Sequence, residues 1–476
     1  MVKKRSSMKS KTKKLLVITA VFAVGLTGAA KADLATQIDA CLKRPSQKKV
    51  QYAIHIVKGD SGQTLYSHNV NKAMVPASNM KIIVTVAALK CLGPDYEYKT
   101  RVGLCDDTLA IIGSGDPLLG DETTDAKYDR KVGWLFDDIA AVLKHRHITT
   151  IKDIIIDTSV FDDQGVHPNW PKEQLNRWYA CEVSGLNYND NCIDITTKTV
   201  NGRVVISVEP ATDFVKIVNK VIPVRKGKRG VGAYRQPNKP NNLVIKGRCK
   251  EAEGPFAVAI ERPAAFFGFL LAENLGRAGI SVKGQLTERP ISADCNFTKL
   301  AEYSTPIADC ITRCNKNSLQ LAAEALVKTI AAKNNADGKN GSWKIGREVI
   351  HNYLLGLGLE EKEFYADDGS GLSRENKLSA NAITKVLLDV YKSKNWQLYK
   401  ESLAVGGVDG TIGRYFKDQK YKGKVFGKTG YIGGVRSFSG LCTTEHGDYI
   451  FSILANKSNG KSRETINDIV KAIFDN

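Results

Sequence analysis

Histidine is scarce in this 476-residue chain, with seven in all, and none stands near cysteine at a metal-ligating spacing. That shortage argues against a structural zinc site, which draws on clustered Cys and His. Internal repeats are missing, which excludes solenoids and propellers. Beyond Gly28 no apolar run approaches the roughly 20 residues that a membrane span needs, and the charged C-terminus carries no anchor. Basic residues are not interleaved with aromatic ones in the manner of a nucleic-acid-binding patch. What remains is ordinary globular material, 42% hydrophobic and 8% aromatic, long enough for two or three domains.

The first stretch departs from that average. Seven basic residues from Lys3 to Lys14 precede a 14-residue, mostly apolar run from Leu15 to Gly28, and Ala30-Lys31-Ala32 stands before Asp33. This is the layout of a secretory signal peptide, predicting export to the periplasmic or cell-wall side of the inner membrane and a mature chain from about residue 33. Without the eight basic residues before Asp33 the formal charge falls from +19 to +11. A basic exported protein suits an anionic polymer or peripheral contact with a membrane surface, through an attraction that salt weakens, and not nucleic acid. Ten cysteines in such a compartment permit disulfides. Proximity in sequence makes Cys91 with Cys105, Cys181 with Cys192, and Cys310 with Cys314 the first pairs to consider.

Strand-like alternation runs from Lys49 to Val57, turns at Lys58 to Gly62 and returns from Thr64 to His68. At the far end Lys424 to Phe426, Val435 to Thr443 and Tyr449 to Asn456 read as strands, and Glu464 to Phe474 as an amphipathic helix. Pairing of the two chain ends in one sheet is expected, with the middle as an insertion. That middle, about 98 to 296, has shorter strands (Thr108 to Ile112, Ile151 to Asp157, Val204 to Val208) and helices at Trp134 to His145 and Pro263 to Ala278. Lysine-, arginine- and glycine-rich Asn219 to Asn241 reads as exposed loop. Helical texture returns at Leu319 to Ala332, Ser342 to Leu355 and Ala380 to Tyr391, so the fold class is α+β, helices against an antiparallel sheet.

Chemistry concentrates at Pro76-Ala77-Ser78-Asn79-Met80-Lys81. A helix apolar on nearly every side follows, Ile82 to Leu89, and such a helix belongs in a core. Ser-x-x-Lys occurs by chance in many chains, and Ser is a common N-cap. Here, however, the lysine precedes a helix with almost no polar face to hold it. At about 100° per residue, Ser78 and Lys81 share a face, and a lysine whose charge is disfavoured by burial can act as base toward a serine nucleophile. Such a pair needs a proton relay, oxyanion donors and a group for an anionic substrate end. Gly427-Lys428-Thr429-Gly430 on an edge strand offers an ammonium, a hydroxyl and room for a substrate backbone. Asn315-Lys316-Asn317-Ser318-Leu319-Gln320 opens a helix, where Asn317 and Gln320 also have capping-box spacing.

Ser-x-x-Lys, then Ser-Leu-Gln in the place of Ser-x-Asn, then Lys-Thr-Gly resembles the signature of penicillin-binding proteins and serine β-lactamases. The gap of about 240 residues between the first two elements resembles, more narrowly, the D-alanyl-D-alanine carboxypeptidase/endopeptidase family of class C low-molecular-mass penicillin-binding proteins. Gly113 to Pro117, Asp157 to Phe161, Asn187 to Cys192, Asp368 to Arg374 and Gly407 to Thr411 are similar to that family as well. The resemblance implies a transpeptidase/serine β-lactamase-like domain (33–97 and 297–476) interrupted by a second domain (98–182 and 255–296), itself interrupted by a third (183–254). It implies Ser78 as acylated nucleophile, Lys81 as base and Ser318 as relay. Lys428 and Thr429 would hold the terminal carboxylate beside Gly430, and the backbone N–H groups of Ser78 and Tyr431 would form the oxyanion hole. Arg374 would line the stem-peptide pocket, with Ile432 and Glu173 as further candidates. Peptidoglycan stem peptides as substrates, β-lactams as covalent inhibitors and no cofactor or metal are the corollaries. Gln320 keeps the amide of the family's Asn on a stem one methylene longer, which alters its reach. A β-lactamase or esterase on the same dyad, or a catalytically weak wall-binding protein, are the alternative readings.

Overall fold

The computed structural model describes residues 33–334 and 340–475; the leader expected over residues 1–32 lies outside them. After helix α1 (Leu34–Leu42) come strands β1 (Gln51–Lys58) and β2 (Thr64–His68), and then helix α2 (Met80–Leu92). Helices α3 (Ile307–Lys316), α4 (Gln320–Lys333), α5 (Trp343–Gly356) and α6 (Ala380–Tyr391) follow the long middle section. Strands β3 (Val425–Ile432), β4 (Val435–Thr444) and β5 (Gly447–Asn456) and helix α7 (Ser462–Ile473) close the chain.

A six-stranded antiparallel sheet joins the two ends of the chain, with Ala404–Val405 on the outside, then β3, β4, β5, β1 and β2. The two-residue period of a strand decides its layers. In β1, Tyr52, Ile54 and Ile56 pack with α1 and α7, while Ala53 and Val57 pack with α2, α4 and α6 on the opposite face. His55, between Ala53 and Val57, binds Thr384 of α6 through Nδ1 at 2.6 Å, and burial pushes its pKa down to about 4. Helix α2 is buried at every position from Met80 to Leu89, as expected of a helix with no polar face.

The middle section carries its own sheets. Glu97–Cys105, Thr108–Ile112, Ile154–Asp157, Leu286–Glu288 and Thr298–Pro306 form a five-stranded mixed sheet, and two three-stranded sheets lie beyond it. The fold is α+β. Residues 219–241 are not the expected loop: Lys216–Pro223, Gly230–Gln236 and Lys239–Cys249 make one of the small sheets. Ile217, Val221 and Val231 meet the core on one face, while the other mixes Lys216, Lys220, Lys246 and Arg248 with exposed Val218, Ile222 and Tyr234, so composition masked a strand pattern.

The disulfide pairing also differs from expectation. Cys105 bonds to Cys295, 190 residues on, with a Cα–Cα distance of 5.5 Å, which leaves Cys91 as a thiol. Cys310 and Cys314 are one turn apart on α3, where Cβ atoms about 5–6 Å apart cannot reach the roughly 4 Å that a disulfide requires. Cys181 and Cys192 stay reduced as buried small apolar groups.

Candidate active site

A single 3-10 turn, Ala77–Asn79, precedes α2 and carries Ser78. N–H groups at such an opening have no helical partner, so the Ser78 amide is available to a ligand. The turn is stitched to the sheet by three bonds. Ser437 Oγ donates to Pro76 O at 2.6 Å, Asn79 Nδ2 donates to Lys428 O at 2.6 Å, and Ser439 Oγ donates to Asn79 Oδ1 at 2.9 Å. One turn into the helix, Lys81 Nζ lies 3.3 Å from Ser78 Oγ and donates to Ser370 O at 2.7 Å. Lys81 is fully buried, and Ser78 is 8% exposed.

A second serine–lysine pair comes from elsewhere in the chain. Lys428 Nζ donates to Ser318 Oγ at 2.9 Å and to Thr429 O at 2.8 Å. Ser318 has a left-handed backbone, φ 65°, and stands between α3 and α4. That break removes the expected capping box: Asn317 ends α3, Leu319 is the N-cap of α4 without a side-chain bond, and Gln320 begins the helix. The Gln320 Oε1 atom is buried without a hydrogen-bond partner.

Gly430 joins the two pairs. A Cβ on it would stand 2.8 Å from the Ser78 nitrogen and would also collide with Ser437 Oγ, so only glycine allows β3 to pass this close to the turn. From Lys428 onward the outer edge of β3 has no strand beside it among the described residues, since Ala404–Val405 pairs only with Gly427 and Phe426. Thr429 Oγ1 bonds Thr411 Oγ1 at 2.9 Å along that edge. Tyr431 is 63% exposed, with the Arg436 guanidinium 4.5 Å from its ring centre. Arg374 is exposed at the rim, its Nη2 donating to Gly433 O at 2.6 Å in the turn that follows Ile432. Glu173 lies exposed in the turn Lys172–Gln174 and bonds none of these residues.

Burial drives the electrostatics. It pushes the Lys81 pKa down, opposed by Cys314, Glu324 and Asp368. Lys428 is pushed well below the ordinary lysine range by burial and by the nearby Lys81 charge. Glu324, on α4, was not singled out from the sequence. Its carboxylate accepts from the N–H groups of Gly369 (2.8 Å) and Ser370 (2.7 Å) and from Trp343 Nε1 (2.8 Å), and burial raises its pKa to about 7. It thus grips the two peptides just before the Ser370 carbonyl that accepts from Lys81. Asp368 ties down the same loop, accepting from Gly371, Ser373, Trp170 and Asn376. Chemically, a lysine kept from full protonation beside a serine can take the hydroxyl proton, and a second hydroxyl on a second ammonium can pass it on. Among the described residues no group of three or more His, Cys, Asp or Glu could hold a metal ion.

Residues 34–475 match the model of the D-Ala-D-Ala carboxypeptidase 3 (S13) family. The chain belongs to this family. It is a serine-type D-Ala-D-Ala carboxypeptidase by that membership. Similar curated proteins are the D-alanyl-D-alanine carboxypeptidase of an Actinomadura species, 26% identical with 93% of this chain and 85% of that one covered, and the DacB carboxypeptidase of Haemophilus influenzae, 24% identical with 82% of each covered. The crystal structure of penicillin binding protein 4 from H. influenzae superposes with a TM-score of 0.76 at 22% identity, over 92% of this chain and 98% of that one. That likeness establishes the fold, a transpeptidase-like body with insertions, and the family carries the activity.

Proposed function

We propose that Ser78 attacks the carbonyl of a D-Ala-D-X bond in a peptidoglycan stem peptide. A C–O bond forms and the amide C–N bond breaks. The serine proton passes to Lys81 and reaches the departing nitrogen by way of Ser318. Water then cleaves the ester, releasing the acyl fragment as a carboxylate and restoring the serine. The backbone N–H groups of Ser78 and Tyr431 hold the developing oxyanion, and Lys428 and Thr429 hold the carboxylate next to the scissile bond. Gln320 meets a substrate amide, while Arg374 lines the far wall. The observation that carries this reading is the meeting of two serine–lysine pairs, both lysines buried, across Gly430.

β-Lactams, whose strained amide offers the same carbonyl, act as covalent inhibitors in this reading. Its location is outside the inner membrane, in keeping with the basic, apolar leader of the sequence. Among the described residues no helix is long and apolar enough to cross a membrane. The division into a catalytic body with two nested insertions belongs to the same proposal, supported by the separate sheets. The bounds 33–97 and 297–476 for the catalytic body are read from the sequence; the pairing of Thr298–Pro306 with Glu97–Cys105 supports a return nearer Ile307, which we propose instead of 297.

Labelling with fluorescent penicillin tests the centre of the proposal. Wild type is expected to be labelled covalently and Ser78→Ala not at all. Label retained by Ser78→Ala would place the nucleophile elsewhere. Rapid turnover of the label would make the protein a β-lactamase, and no labelling of wild type would leave only a wall-binding role.

A further inference from the structure

Beyond Thr429, on the face of β3 turned away from Ser78, a cavity of about 830 Å3 opens between β3, β4, the 410–415 turn and α7. Thr429, Gly430 and Tyr431 form the wall it shares with the active site. Arg414, Arg436 and Arg463 line the rest, and among the described residues none of the three guanidinium groups has a hydrogen bond or an ion pair. They are held by rings instead: Arg414 and Arg463 lie 5.2 and 5.3 Å from the centre of the Tyr415 ring, and Arg436 lies over Tyr431. The acidic residues close by are already engaged. Asp409 pairs with Lys316 at 2.7 Å, Glu464 with Lys461 at 3.3 Å and Asp468 with Arg44 at 2.6 Å. A second depression continues from Tyr415, Arg463 and Asn467 toward Lys461 and Lys471.

We propose that this arginine-lined cavity is a subsite for the leaving half of a cross-linked substrate, a second stem peptide bearing several carboxylates. The inference rests on the peptidase reading above and names the part of the substrate that the reading leaves open. Size is the first reason, since a cavity of this volume suits a drug-sized ligand and far exceeds a single departing alanine. Position is the second. If Thr429 holds the carboxylate next to the scissile bond, everything attached to the leaving residue must depart past Thr429, into this space. Charge is the third: three oriented, unneutralised guanidinium groups fit carboxylates in bidentate geometry. Arg414 and Arg463 therefore act as specificity residues that favour cleavage of cross-links over removal of a terminal alanine.

The test compares two substrates on wild type and on Arg414→Ala/Arg463→Ala, a purified cross-linked muropeptide dimer and the matching monomeric pentapeptide. The expected result is a loss of about tenfold or more in kcat/KM for the dimer, with pentapeptide hydrolysis and penicillin acylation within about twofold of wild type. Dimer cleavage by wild type is also expected to fall more steeply with added salt than pentapeptide hydrolysis does. Arg414→Lys/Arg463→Lys is expected to keep part of the dimer activity. Equal losses on both substrates, or unchanged dimer cleavage, would overturn the subsite while penicillin labelling leaves the peptidase reading intact. Failure of wild type to be labelled or to cleave either peptide would overturn both.

Discussion

Lys81 and Lys428 are both fully buried and each lies beside a serine hydroxyl, yet their surroundings differ. Lys81 has Glu324 and Asp368 nearby, and they restore part of the affinity for a proton that burial removes. Among the described residues no carboxylate acts on Lys428; it feels the Lys81 charge and is pushed well below the ordinary lysine range. A buried ammonium without a counter-charge is unfavourable, and the substrate can supply the missing one. The comparison teaches a division of labour. In the proposed mechanism Lys81, with its internal counter-charge, cycles between amine and ammonium, whereas Lys428 takes its counter-charge from an anionic substrate.

Two substitutions break the comparison outright. Lys81→Ala removes the base, and acylation by penicillin is expected to fall about 1,000-fold or more, measured by stopped-flow with a chromogenic β-lactam. Lys428→Ala removes the proposed anion-binding group and its hold on Ser318. There the loss in kcat/KM for a D-Ala-D-Ala peptide is expected to be about 100-fold. A substrate whose terminal carboxylate is amidated should lose most of its advantage on wild type and little more on Lys428→Ala. Equal sensitivity of the two enzymes to amidation would show that Lys428 does not read the carboxylate.

Much of this site was legible in the sequence because its residues sit where local pattern is informative. Helix α2 is apolar on every side, so a lysine at its start had to be buried, and Gly427 to Gly430 read as an edge strand open to a substrate backbone. The same reasoning applies to Glu324, alone among Leu321, Ala322, Ala323, Ala325 and Leu326, and would have found it. What stayed hidden depends on tertiary contact. Ser318 was named through the family motif and not through local pattern: it reaches Lys428 by its own left-handed backbone between two helices, a conformation that non-glycine residues rarely adopt. Cys105 finds Cys295 across 190 residues through the pairing of two strands, which neighbouring positions in sequence do not reveal. The sheet over 216–249 was missed for a different reason, since its strands bury only one face against a small core and are rich in Lys, Arg and Gly, which reads as loop.

Glu324 offers a way to sharpen the contrast between the lysines. Its folded pKa of about 7 lies above the ordinary 4.5, so the folded state binds more protons than the unfolded state between those values. Its contribution to stability is therefore complete below about pH 4.5 and is lost as pH rises through 7. In Glu324→Gln that loss is expected to disappear, leaving the melting temperature less dependent on pH between 5 and 8. Removing the charge also takes away a group that raises the Lys81 pKa, so the rising limb of the acylation rate against pH should move to lower pH. With the hold on the 369–370 peptide weakened, a drop in maximal rate of about tenfold is expected as well. An unmoved pH profile would mean that Glu324 merely supports the loop.

The smallest expected effect concerns Gln320, two residues beyond Ser318 at the start of α4. A buried amide oxygen without a donor costs about 1–3 kcal/mol, so a site that retains one in the free enzyme sacrifices stability at that position. Donors that could approach this oxygen on substrate binding include a peptide N–H, which a β-lactam core does not offer in the same extended form. Gln320→Ala is therefore expected to leave thermal stability equal or slightly higher while lowering kcat/KM for a peptide severalfold and changing penicillin acylation less. Gln320→Asn, with its shorter reach, is expected to fall between the two. If the alanine variant instead loses stability and reacts with peptide and penicillin in parallel, the amide packs the α3–α4 junction and has no part in reading the substrate backbone.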